Sequence, residues 1–269
     1  LPAPRRGRWL LVGGVLLVLP FVLANGGLAM VSRGWALMLG ATFLALTLAR
    51  PGWDVISRAL AATAISLVVG AAGLLATGRA DDLDAAVRRH LSEMSALTIE
   101  DLESRMPDAA WLAELRTATA QVAQTQADLF IALLALQSVV ALALAAWWVR
   151  RVGRSDSQAF ALARLRDFRF NDQLIWVLIV GIVALLLPLD AAVSRIATNA
   201  LVFMAALYAL RGFAVFVFLA TESRSVPTMV LGALALIFLY PIALTAALMM
   251  GVGDTWLDVR SRVAAATPT

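Results

Sequence analysis

A chain with several apolar runs longer than 18 residues, nearly free of charge, cannot bury them all in a water-soluble core. In this sequence seven apolar segments, four of them of that length, lie at roughly Trp9–Ala24, Trp35–Ala49, Ala59–Thr77, Leu129–Val149, Leu174–Leu189, Ile196–Thr221 and Pro227–Met250. They are solid Leu, Ala, Val and Ile rather than the alternating pattern of a barrel strand. Inside a bilayer each segment must satisfy its own backbone hydrogen bonds, so helices are expected. Hydrophobic residues make up 61% of the 269 positions and charged residues only 15%, against about 25% in ordinary soluble domains. The expected fold is therefore all-α: a polytopic transmembrane helical bundle of about six or seven spans, one domain over residues 1–269. Its partner is first of all the lipid bilayer.

Several chemistries are excluded at once. With no cysteine, there is no disulfide, thiolate zinc site or catalytic thiol. All 22 basic residues are arginine, yet the net charge is only +4, which is not a nucleic-acid-binding balance. The single histidine, His90, stands outside every apolar segment, and one histidine without further ligands makes no zinc site. No HExxH, GxSxG or P-loop string occurs, so neither an intramembrane enzyme nor a nucleotide site is expected. No cofactor is expected either.

Arginine placement orients the segments. Between Arg150 and Asp172 stand Arg150, Arg151, Arg154, Arg164, Arg166 and Arg169 against three aspartates. The positive-inside rule puts this connection in the cytoplasm, together with Arg5, Arg6 and Arg8 at the N-terminus. The expected location is the cell inner membrane, multi-pass. Arg5, Arg6 and Arg8 precede an apolar segment with no small-residue cleavage site, so a cleaved signal peptide is not expected. Seven spans would leave the C-terminus outside, in conflict with Arg260 and Arg262. Asn25-Gly26-Gly27 and Ser32-Arg33-Gly34 flank a short apolar piece, suggesting either a broken element or an ordinary hairpin. Phe160–Phe170 reads as an in-plane stretch, with Ala161, Leu165 and Phe168 on one face.

Residues 78–128 form a helical extramembrane insert with five arginines against ten acidic residues, expected on the outside. Leu83, Val87, Leu91, Met94 and Leu97 suggest one apolar helix face. Thr98 with Asp101 resembles a capping box opening another short helix. Met106-Pro107-Asp108 breaks the chain. Trp111, Leu115, Ala118, Val122, Thr125 and Leu129 then define a 3.5-residue seam, and one helix over Asp108–Val149 is expected. The insert, like the Arg150–Asp172 connection, is a candidate docking surface for partner subunits.

Polar groups within apolar segments mark functional candidates. Arg211 interrupts Ile196–Thr221, and Asn199 lies 12 residues earlier on nearly the same side. With Asn25, these are the candidate solute-lining residues. Asp190 is a conceivable partner for Arg211. The final motif is Gly251-Val-Gly-Asp254-Thr-Trp256-Leu-Asp258-Val-Arg260. There Gly is expected to end a span, Asp254 to cap a turn, Trp256 to sit in the aromatic belt, and Asp258 to pair with Arg262.

This final motif, Arg211-Gly212 in a late span and the acidic insert together resemble the YybS-like family of bacterial integral membrane proteins of unknown function. In this chain Arg211 stands where an uncharged polar residue such as Gln is expected. That family is similar to the substrate-binding S components of energy-coupling-factor transporters. The resemblance implies capture of a small solute and coupling to partner subunits. The alternative is an accessory or scaffold subunit that docks through the 78–128 helices.

Overall fold

The computed structural model describes residues 27–106, 110–153, 168–222 and 239–266. Every regular element among them is helical. Two compact units meet in sequence at residues 155 and 156. Among the described residues, four helical stretches are long and apolar enough to cross a membrane: Leu28–Ala49, Val55–Thr77, Phe130–Val149 and Ala191–Ala220. The first expected segment, Trp9–Ala24, lies outside the described residues, as does most of Phe160–Phe170.

In the first unit, α1 (Gly27–Ala49), α2 (Val55–Thr77) and α5 (Phe130–Gly153) pack together. Helix α1 runs unbroken through Ser32-Arg33-Gly34 over 23 residues, so the short or broken reading of this segment is corrected. An exposed mid-helix glycine costs only about 1 kcal/mol, and the need to keep backbone bonds closed in lipid overrides it. Helix α2 begins four residues earlier than its apolar run, because the Asp54 side chain accepts from Ser57 N–H at 3.0 Å. Its end is set by Gly78, whose φ of 65° suits a residue without Cβ. Ala59, Ala62, Thr63 and Ser66 form the buried stripe of α2. Ala132, Ala135 and Ser138 are buried on α5, which packs against it. Such small residues let helices approach closely where lipid offers no hydrophobic drive. Trp35 Nε1 donates to Ser138 Oγ at 3.0 Å and ties α1 to α5.

Between α2 and α5 stand α3 (Ala80–Arg105) and α4 (Leu112–Asp128), too polar to cross a bilayer. Thr98 does not start a new helix: α3 continues through it, and its Oγ1 donates back to Met94 O at 2.9 Å. The expected single helix from 108 to 149 is divided at Leu129, where α4 closes and α5 opens.

In the second unit, a short 3₁₀ turn (Asp172–Leu174) leads into α6 (Ile175–Leu186). Asn171 caps the turn, accepting from Gln173 N–H at 3.0 Å, and Pro188 follows the helix end. Helix α7 (Ala191–Glu222) packs against α6 and against α8 (Tyr240–Leu257). The short α9 (Val259–Ala266) follows. Asp190 Oδ1 accepts from Val193 N–H at 3.2 Å, so it caps α7.

The α7–α8 crossing is a backbone contact. A Cβ on Gly212 would stand 1.7 Å from Ala247 O, and one on Gly251 would stand 1.9 Å from Tyr208 O. The small-xxx-small pair that matters is thus Ala247–Gly251. Ala72 and Ala76, the equally spaced pair on α2, are both exposed. Neither Gly251 nor Gly253 ends α8, which continues to Leu257 and corrects the expected stop. Gly251→Ala should force the two helices apart and cost about 1–3 kcal/mol or more, the usual range for overpacking. Gly253→Ala, with open space around the added methyl, should be neutral or mildly stabilising. Thermal unfolding of the two variants in detergent separates these outcomes.

Candidate functional site

Because Gly251 seats α8 directly on α7, Asp254 lands three residues further on beside Arg211. Both side chains are buried, at 3% and 0% exposure. Arg211 Nε donates to Asp254 Oδ2 at 3.0 Å, and its Nη2 donates to Asp254 O at 3.3 Å. Its Nη1 reaches Asp172 Oδ1 at 2.5 Å, while the guanidinium carbon stands 5.5 Å from the Phe170 ring centroid. Asp254 Oδ2 also accepts from Arg260 Nη2 at 2.8 Å, and Arg260 Nη1 donates to Phe168 O at 3.0 Å. At the exposed edge, Arg169 Nη2 meets Asp258 Oδ1 at 2.6 Å. Two buried arginines share the one buried aspartate, and the exposed Asp172 and the exposed Arg169–Asp258 pair complete a set of three arginines and three aspartates.

These placements correct several expectations. Arg211 is paired with Asp172 and Asp254, not with Asp190. Asp254 is no cap; it is the shared acceptor of two guanidinium groups. Asp258 pairs with Arg169 rather than Arg262, because it ends α8 in the left-handed region at φ 40°. That turn starts a new helix at Val259 instead of continuing the old one. The Ser261 hydroxyl and then the Arg169 guanidinium hold the Asp258 carboxyl below its usual range. A lowered carboxylate pKa stabilises above the unfolded value, and its contribution disappears as pH falls through the folded one. Trp256 is exposed. Phe168 and Phe170 are buried, stacked edge-on with each other at 6.0 Å; Phe170 continues the stack to Tyr208 at 5.1 Å. Phe168 thus packs inward against Phe170.

Among the candidate solute-lining residues, Asn199 and Arg211 are both buried on α7, and Asn199 Nδ2 donates to Arg195 O at 2.9 Å. Asn25 lies outside the described residues. The composition did not point to Asp172 as a partner. The usable signal was its position after Phe168 and Phe170, at the entry of an apolar helix. Asp254 Oδ1 and Tyr208 Oη are buried without a hydrogen-bond partner among the described residues.

The polar α3–α4 hairpin holds a second candidate. Helices α3 and α4 run antiparallel, linked by Arg88 to Asp128 at 2.7 Å and by Arg116 to Glu103. Their buried seam is Val87, Ile99, Leu112, Ala123 and Ala127. Val87 of the expected α3 stripe is buried, but Met94 and Leu97 are exposed, and on α4 so are Trp111 and Val122, at 51%, 59%, 45% and 54% respectively. On α4 the seam is shifted by one residue, because small Ala123 and Ala127 permit the close approach that Val122 would block. His90 is exposed.

One side of the hairpin is a half-open groove of about 750 Å³, lined by Arg88, Arg89, Ser95, Glu100, Arg116 and Gln124 among others. At 100° per residue, Met94 stands about 200° from Ser92, Leu97 from Ser95, and Val122 from Ala120 and Gln124. Ser92 and Ala120 also line the groove, so the exposed apolar residues occupy its opposite side. Among the described residues, no group of three or more His, Cys, Asp or Glu side chains could hold a metal ion.

A family model matches residues 5–255, nearly the whole chain. The chain belongs to the DUF2232 family. That family is described as "Predicted membrane protein", in keeping with the four apolar helices. The matched residues include Asp172, Arg211 and Asp254; Arg260 lies just beyond them. No curated protein and no solved structure matches the chain.

Asp254→Ala would leave two buried guanidinium groups without their carboxylate, a loss of about 3–5 kcal/mol for a buried partner. Asp172, 60% exposed, should matter much less when replaced by Ala, nearer the ~1 kcal/mol of a surface pair. Comparing the unfolding temperatures of the two variants tests this ordering. Equal effects would show that Asp254 is not the hub.

Proposed function

We propose that this membrane protein is a non-enzymatic subunit of a larger membrane complex, docking a protein partner through the apolar side of the α3–α4 hairpin. The observation that carries this reading is the exposure of Met94, Leu97, Trp111 and Val122 on helices too polar to be covered by lipid tails. Exposed apolar patches on polar surfaces mark interaction sites. With five arginines against ten acidic residues in 78–128, the fitting partner carries an apolar ridge edged by basic side chains. The same acidity disfavours an anionic lipid surface as the occupant.

The test is co-purification from native membranes. The wild-type chain should bring down a stoichiometric partner, and Leu97→Glu with Val122→Glu should release it while circular dichroism stays unchanged. A chain that purifies as a monomer with no stoichiometric partner, before any substitution, sinks the proposal.

A second reading is favoured by Asp254 Oδ1 and Tyr208 Oη, buried and unpartnered next to Arg211. It is an S-component-like protein that holds a small solute at Asn199 and Arg211, with Asn25. Native mass spectrometry should then show a bound solute that disappears in Asn199→Ala. A ligand-free wild-type spectrum counts against it.

A further inference from the structure

On the other side of the hairpin, the groove has a polarity that the docking reading does not use. Most charges near it are already paired: Arg88 with Asp84 and Asp128, and Arg116 with Glu103. Arg89 and Glu100 line the same groove and have no ion-pair partner among the described residues. They are 11 residues apart on α3, which is three turns and about 16 Å along the axis, and they point within about 20° of each other. The groove thus carries, about 16 Å apart along α3, one cation and one anion that have no ion-pair partner among the described residues. Between them the wall is low, with Ala96 and Ala123 giving room, and Gln124 of the facing helix offering an amide.

We infer that the groove binds a short peptide of about four or five residues, extended along α3, with its terminal carboxylate at Arg89 and its ammonium at Glu100. An extended chain advances about 3.3 Å per residue, so five residues span the interval between the two charges. The Gln124 side-chain amide on the facing helix would hydrogen-bond its peptide groups. The volume of about 750 Å³ falls within the usual range for small-ligand sites, roughly 300–1,000 Å³. The bound peptide would be read by its two ends rather than by side-chain identity, because alanine walls offer no deep specificity pocket.

The probe is penta-alanine, titrated by calorimetry into the full chain in nanodiscs. Saturable binding is expected, weakened at least about tenfold when either terminus is blocked by acetylation or amidation, the scale of a lost charge-assisted hydrogen bond. Arg89→Gln should abolish only the discrimination between free carboxylate and amide. Glu100→Gln should abolish only that between free ammonium and acetyl. Both positions are exposed, so the fold should survive, as circular dichroism would show. Absence of saturable binding into the millimolar range overturns the inference, and so does binding indifferent to both caps. Because the docking face lies on the opposite side of the hairpin, loss of partner co-purification and loss of peptide binding report on separate surfaces.

Discussion

The second unit depends on one contact between backbones. Gly212 and Gly251 bring α7 and α8 together so closely that neither position has room for a methyl group. Everything polar at this level follows from that approach. A wider crossing would leave Arg211 with the exposed Asp172 alone, and the buried carboxylate of Asp254 would lose its guanidinium partner. Packing of small residues therefore comes first, and the ion pairs are possible because of it. In a bilayer this order is natural, since apolar helices gain nothing from avoiding water and associate through close fit and internal hydrogen bonds.

The cluster also shows how a chain with little charge places what it has. Asp254 serves both Arg211 and Arg260, and Asp172 answers the remaining face of Arg211. The Arg169–Asp258 pair closes the exposed edge. Removing the buried Asp254 should leave uncompensated ions. Arg211 is thus engaged with protein carboxylates, whereas the polar hairpin leaves Met94, Leu97, Trp111 and Val122 uncovered.

The helical membrane class was legible in the sequence because hydropathy reports it directly; α2, α5 and α7 lie close to their expected segments. The cap at Asp54 moved the start of α2 by four residues, while its end at Thr77, before Gly78, fell where expected. Arg211 and Asp254 both stood out as polar positions, but nothing in their spacing showed that they meet. That meeting is set by Gly212 against Gly251, a fact of three dimensions. On α4 the apolar side chains misled, because the larger Val122 looked like the core residue and the smaller Ala123 is. A seam chosen by size of side chain fails where helices pack by smallness. Ser32-Arg33-Gly34 misled for the opposite reason: residues that break helices in water are carried through when lipid makes an open backbone costly.

The connection between α4 and α5 is a single residue, Leu129. A loop there would let the polar hairpin move independently of the membrane. One residue gives no slack, so α4 acts as the exposed arm of a lever whose other arm is a spanning helix. Whatever tilts the arm must tilt α5, and with it the Trp35–Ser138 bond and the small-residue packing against α2. Occupancy of the hairpin would then register inside the bilayer as a change in helix tilt.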